Sequence, residues 1–104
     1  MVVFKDYKNR SIRFTDERLT HIENDHPEMI GQNDKITETI LNPDIVIVSK
    51  TDKNVEMFYK LFPKTPVTQK YLCVLVKNNN NDYFIITAYF TDTAKKGEIL
   101  WQNK

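Results

Sequence analysis

The spacing of apolar positions changes part-way along this chain. Leu19, Ile22 and His26 fall three, then four residues apart and so share one helical stripe. Thr15 is placed to cap that helix, and Asp16 and Glu17 suit its positive end. Pro27 disfavours helix at His26, so the helix ends or bends there. A further turn carries Met29 and Ile30, with Gly31 placed to stop it. Asn33 or Asp34 can cap a second helix holding Ile36, Ile40 and Leu41, which Asn42-Pro43 ends. From Ile45 the pattern becomes that of strands. Ile45 to Val48 is a β-branched run, Val55 to Lys60 alternates, and Tyr71 to Val76 is apolar on both faces. Tyr83 to Phe90 is a fourth strand with Phe84, Ile86, Ala88 and Phe90 on one face and Tyr83, Ile85, Thr87 and Tyr89 on the other. Asn78 to Asp82 reads as the hairpin loop before it. Ile12 to Phe14 is a short extended lead-in, and Ile99-Leu100-Trp101 a last short strand or a packing plug. The expectation is an α+β fold, with two or three N-terminal helices packed on one face of a roughly four-stranded antiparallel sheet.

Composition adds bounds. The 104 residues suit a single domain spanning 1–104, and 40% hydrophobic residues suffice for a core. No apolar run approaches the roughly 20 residues of a membrane helix, and Met1-Val2-Val3-Phe4-Lys5 turns charged too early for a signal peptide. One cysteine cannot form an internal disulfide, which fits a reducing, cytoplasmic setting. The net charge of +1 hides an asymmetry. Residues 14–44 hold eight acids against two bases, net −6, which leaves +7 for the remainder. A basic sheet region beside an acidic helical one attracts an anion on one side only, and modestly.

Both histidines, His21 and His26, lie within six positions. Imidazole gives and takes protons near neutral pH, so a converging pair suits acid–base catalysis. On an unbroken helix the two stand about 140° apart, so convergence requires the bend before Pro27. His21, His26, Glu28 and Asp25 have metal-ligand chemistry. Helical metal pairs, however, use a spacing of four, so no metal is expected. Cys73 sits in the most apolar strand and reads as core. Two distant glycines exclude a phosphate-cradling loop, and the chain has no Gly-x-Ser-x-Gly turn. Thr87 and Tyr89 point the same way from one strand, and Lys70 opens its neighbour. Hydroxyls with a lysine can hold a phosphate oxygen, and Tyr59 can stack on a base. Trp101, following Ile99-Leu100, reads as core.

Several segments occur in a recognisable order: Arg18-Leu19-Thr20-His21-Ile22, His26-Pro27-Glu28, Leu41-Asn42-Pro43-Asp44-Ile45, Lys70, Thr87-Ala88-Tyr89 and Leu100-Trp101. The chain thereby resembles the phage- and mobile-element-associated branch of the superfold shared by barnase, uridylate-specific endoribonuclease, tRNA-cleaving colicins and RelE-type toxins. The resemblance covers about residues 12 to 101. It implies a small metal-independent endoribonuclease of toxin or mobile-element effector type, without cofactor. RNA would be its substrate, and a cognate antitoxin or operon product its partner. It further implies His21 and His26 as the acid–base pair with Thr87, and Arg18, Lys70 and Tyr89 as phosphate ligands. The alternative is a catalytically inactive member that only binds protein or nucleic acid.

Overall fold

The computed structural model describes residues 1–103. Two strands come first, β1 (Val2–Lys5) and β2 (Ser11–Phe14). Helix α1 (Asp16–Asp25) follows, with Thr15 Oγ1 accepting the Arg18 N–H at 3.2 Å as its cap. The helix stays regular to its last residue, since the His26 N–H still bonds Ile22 O at 2.7 Å. At His26, with φ −134° and ψ 77°, the chain leaves the helix and turns through the single 3-10 turn Pro27–Met29, in which proline needs no N–H partner. Gly31, at φ +80°, takes the left-handed position that lets the chain re-enter helix. Helix α2 (Asn33–Leu41) then runs to Asn42. The remaining strands are β3 (Ile45–Val48), β4 (Val55–Phe62), β5 (Lys70–Asn79), β6 (Asp82–Thr91) and β7 (Ile99–Gln102). Asn80 and Asn81 both have positive φ and form the tight turn between β5 and β6 that the asparagine run predicts.

The described residues thus form one seven-stranded mixed sheet in the order β1-β2-β6-β5-β4-β3-β7, with two helices. This corrects the expected four-stranded antiparallel sheet behind N-terminal helices. The four central strands are those expected, but two strands precede the helices, and β7 adds to β3. β2 also lies parallel to β6, through Ile12↔Tyr83 and Arg13↔Phe84. The extra strands have four residues each and exposed apolar positions such as Val2, Val3 and Ile99. Ile12 to Phe14 and Ile99 to Trp101 read as extended, but nothing in segments that short names their partners, which lie far away in sequence.

The helix side holds the main core. Ile22, Met29, Ile36 and Ile40 pack on Phe58, Leu72, Val74, Val76, Ile85 and Ala88. The opposite side is not bare. Ile47, Val55, Met57, Tyr59 and Cys73 are buried there beneath half-buried side chains including Ala94. Gly97 lets residues 92–98 lie close to β3, because a Cβ at that position would stand 3.1 Å from Val48 O. A bulge shifts the β5–β6 register, with Leu75 opposite Thr87 and Val76 opposite Ile85. Ile86 is the extra residue, so the expected strict alternation fails there. Tyr83 and Ile85 join Ala88 and Phe90 on the helix side, while Ile86 and Tyr89 lie on the other.

The loop from β1 to β2 is fastened by charge. The Asp6 carboxylate, 2% exposed, accepts the N–H groups of Lys8 and Arg10 and the Arg10 Nε–H at 2.7–2.9 Å. The Arg10 guanidinium also grips Glu56 of β4 with both terminal nitrogens and lies 4.4 Å over the Tyr83 ring. Burial alone lowers the guanidinium pKa, but the bonds to Glu56 and Asp6 outweigh it and keep the group charged. Arg10→Met is expected to cost about 3 kcal/mol, because it strands a buried carboxylate; urea unfolding with both proteins at pH 7 measures it. Nearby, Arg13 holds Asp82 through two hydrogen bonds and keeps its carboxyl below the usual range. A depressed pKa adds stability above the unfolded carboxyl's pKa and loses it as pH falls through the folded value. The Tm advantage of the native chain over Asp82→Asn is therefore expected at neutral pH and should vanish on acidification below the ordinary carboxylate range.

Candidate active site

The geometry of β6 creates the candidate site. β2 pairs with only the start of β6, at Tyr83 and Phe84. After Phe14 the chain leaves the sheet as α1, which packs along β6 in place of a further strand. This carries His26, the residue closing α1, to the edge of β6. Its half-buried imidazole lies 5.5 Å, centroid to centroid, from the Tyr89 ring at an interplanar angle of 34°. Tyr89 faces Cys73 across the ladder, and Cys73 faces Tyr59. One row therefore runs Tyr59, Cys73, Tyr89, His26 across three strands and a helix end. Thr87, half-buried, is next along β6 on the same face, opposite Leu75.

Burial sets the chemistry of the row. It raises the phenols of Tyr59 and Tyr89 above their ordinary value, and the neighbouring Cys73 adds to the effect. Both phenols are therefore neutral hydrogen-bond donors at pH 7. Cys73 is 0% exposed, and burial pushes its thiol up to about 11 against the opposing contacts of the two phenols. A neutral, enclosed thiol is no nucleophile, in keeping with its reading as core.

The other sequence-derived candidates are spread apart. His21 is exposed on α1, five residues before His26, which closes the helix with φ −134° and ψ 77°. The expected bend therefore falls at His26 itself, and the ring contact His26 makes is with Tyr89. Arg18 is half-buried in the first turn of α1, about 12 Å along the axis from His26. Lys70 stands opposite Phe62 and shares its face with Leu72, which is the helix side, whereas Thr87 and Tyr89 lie on the other. Its amine is paired with Asp92. Tyr59 is 1% exposed, packed edge-on against Tyr71, and its hydroxyl accepts the Lys95 N–H at 3.3 Å. So covered a ring has no open face for a base. His26, Thr87 and Tyr89 are thus brought together, and His21, Arg18, Lys70 and the Tyr59 ring are not. Sequence reasoning missed residues 92–98, which supply Asp92 to Lys70 and Lys95 to Tyr59; their polar, aperiodic composition gave no signal. Among the described residues, no three His, Cys, Asp or Glu side chains converge as a metal-binding group, and no helix is long and apolar enough to cross a membrane.

A family model described as "phage-Barnase-EndoU-ColicinE5/D-RelE like nuclease2" matches residues 1–102. The chain belongs to this family. No curated protein and no solved structure matches it significantly. Membership of this phage nuclease family makes nucleic-acid cleavage the activity to explain. The matched span takes in β1, β2 and β7 as well as the central strands. Enclosure of Cys73 has a direct consequence. At pH 8 its thiol should resist an aromatic disulfide reagent in the native protein and react fully in urea, which a thiol-release assay reads.

Proposed function

We propose that this nuclease-family chain cleaves RNA without a metal, and that His26 is the group that exchanges the proton. The neutral imidazole accepts the proton of a ribose 2′-hydroxyl as that oxygen attacks the adjacent phosphorus. The bond to the 5′-oxygen breaks, the leaving oxygen is protonated from water, and a 2′,3′-cyclic phosphate remains. The hydroxyls of Thr87 and Tyr89 donate to the non-bridging oxygens, where charge builds in the transition state. The observation that carries this reading is the packing of the one half-buried imidazole on the hydroxyl-bearing edge of β6. The resemblance also gives His21, Arg18 and Lys70 parts in catalysis. Their placement favours lesser ones, with His21 and Arg18 meeting RNA outside the reacting centre.

One observation favours a second reading. His21 is exposed on a helix rich in acids, which suits contact with a basic surface better than with phosphate. In that case the chain is a binding module for a cognate protein, and Glu/Asp→Lys changes in residues 23–38 would release the partner.

Cleavage of a labelled RNA decides between the two readings. His26→Ala is expected to slow cleavage by about 100-fold or more and His21→Ala by less than about tenfold, with cyclic-phosphate ends and no effect of EDTA. Undiminished cleavage by His26→Ala, or loss of activity with EDTA, would reject the mechanism. Absence of cleavage with a stoichiometric bound protein would support the second reading.

A further inference from the structure

The segment 92–98 carries the chain from β6 to β7, which stand apart in the sheet, and so crosses the face opposite the helices above β5, β4 and β3. Ala94 packs onto the second core, the Lys95 N–H meets the Tyr59 hydroxyl of β4, and the Glu98 carbonyl accepts the Val48 N–H of β3 at 2.9 Å. Where this strap nears β3 it leaves a slot of about 270 Å³. Ile45 and Ile47 line it from β3, Ile99 from β7, and Ala94 and Gly97 from the strap, so its surface is mostly aliphatic. Gly97 keeps it open, since a Cβ there would stand 3.5 Å from Ile47 Cδ1 as well as 3.1 Å from Val48 O. Ile99 is 53% exposed, on a four-residue edge strand. A concave aliphatic surface in contact with water is stabilised when an apolar group takes the place of that water.

The charges at the slot select the ligand. Lys95 and Lys96 also line it, both are exposed, and among the described residues neither has a carboxylate partner, unlike Lys60, Lys70 and Lys77. Glu98, the nearest acid in sequence, lines a separate cavity with Lys50 and Lys53. Two ammonium groups on flexible stems beside an aliphatic floor favour a ligand with one anionic end and one apolar body. Nucleic acid matches only the cations, because the slot has no aromatic face for a base to stack on and no side-chain amide to read a base edge. A volume just below the drug-sized range suits a short chain.

We propose that this slot binds a free aliphatic carboxylate. The hydrocarbon chain lies on Ile45, Ile47 and Ile99 under Ala94, and the carboxylate is held at the mouth by the Lys95 and Lys96 ammoniums. The site is separate from the His26–Tyr89 edge and stands or falls independently of RNA cleavage.

The chain carries two glycines, so the Gly97 amide is a resolvable nuclear magnetic resonance signal at the slot and Gly31 a control far from it. Butanoate, hexanoate and octanoate are titrated against the native chain, with octanol and octylammonium as matched neutral and cationic probes and calorimetry as a second readout. Octanoate is expected to move the Gly97 signal saturably and leave Gly31 unmoved. Hexanoate should bind about tenfold more tightly than butanoate, as two more methylenes leave water, and octanoate at least as tightly as hexanoate. Lys95→Gln with Lys96→Gln, both on exposed side chains, is expected to weaken octanoate about fivefold or more, and Ile99→Ser to weaken it without altering the fold by circular dichroism. Three results overturn the proposal: no saturable movement of Gly97, affinity that ignores chain length, or octylammonium binding as tightly as octanoate.

Discussion

Arg10 is the constraint on which the architecture turns. It is bound on one side to Asp6, whose carboxylate is withdrawn from water, and on the other to Glu56 of β4. Separately these three charges would be costly to bury; together they satisfy one another and fix the β1–β2 loop against the helix side of the sheet. Because that loop is fixed, β2 can lie parallel to β6 over only two register pairs, reinforced by Arg13 on Asp82. Parallel pairs this short are weak alone. The chain then leaves β2 in the direction of β6, and α1 runs beside a strand whose edge is otherwise empty. The contact between His26 and Tyr89 is the far end of that sequence of constraints.

The bulge at Ile86 completes the arrangement. Without the bulge, in a strictly alternating strand, Tyr83 and Ile85 would lie on the same face as Thr87 and Tyr89. With it, the first half of β6 gives Ile85 to the helix-side core, while Thr87 and Tyr89 keep the opposite face, beside Cys73 and Leu75. A bulge also increases the local twist.

The helices and the four central strands were legible because each carries either an apolar period or an unbroken apolar run, and because Thr15, Pro27 and Asn42-Pro43 mark the ends. The parallel pairing of β2, the docking of β7 and the bulge were not, since each depends on contacts between distant segments. Within the candidate site, the sequence singled out His26, Thr87 and Tyr89 as chemistry-bearing side chains, but it could not say which of them meet. Helical spacing argued against a histidine pair, and the structure bends the chain at His26, whose ring packs on Tyr89. Lys70 was grouped with the hydroxyls by its place at a strand start; strand parity puts it on the other face.

Ion pairing changes what the charge distribution means. The sequence divides formally into an acidic helical stretch and a basic remainder, yet the lysines at the heart of that remainder are already engaged: Lys60 near Glu38 and Asp44, Lys70 with Asp92, Lys77 with Asp52. A cation held by a carboxylate contributes little to a long-range field. Among the described residues, Lys95 and Lys96 form no such pair and border the face that carries Tyr59 and Tyr89. On the proposed ribonuclease reading, a strand drawn to the molecule would therefore be steered by residues 92–98 rather than by the paired lysines of the sheet, and with so few free cations the electrostatic part of its binding would be modest and salt-sensitive.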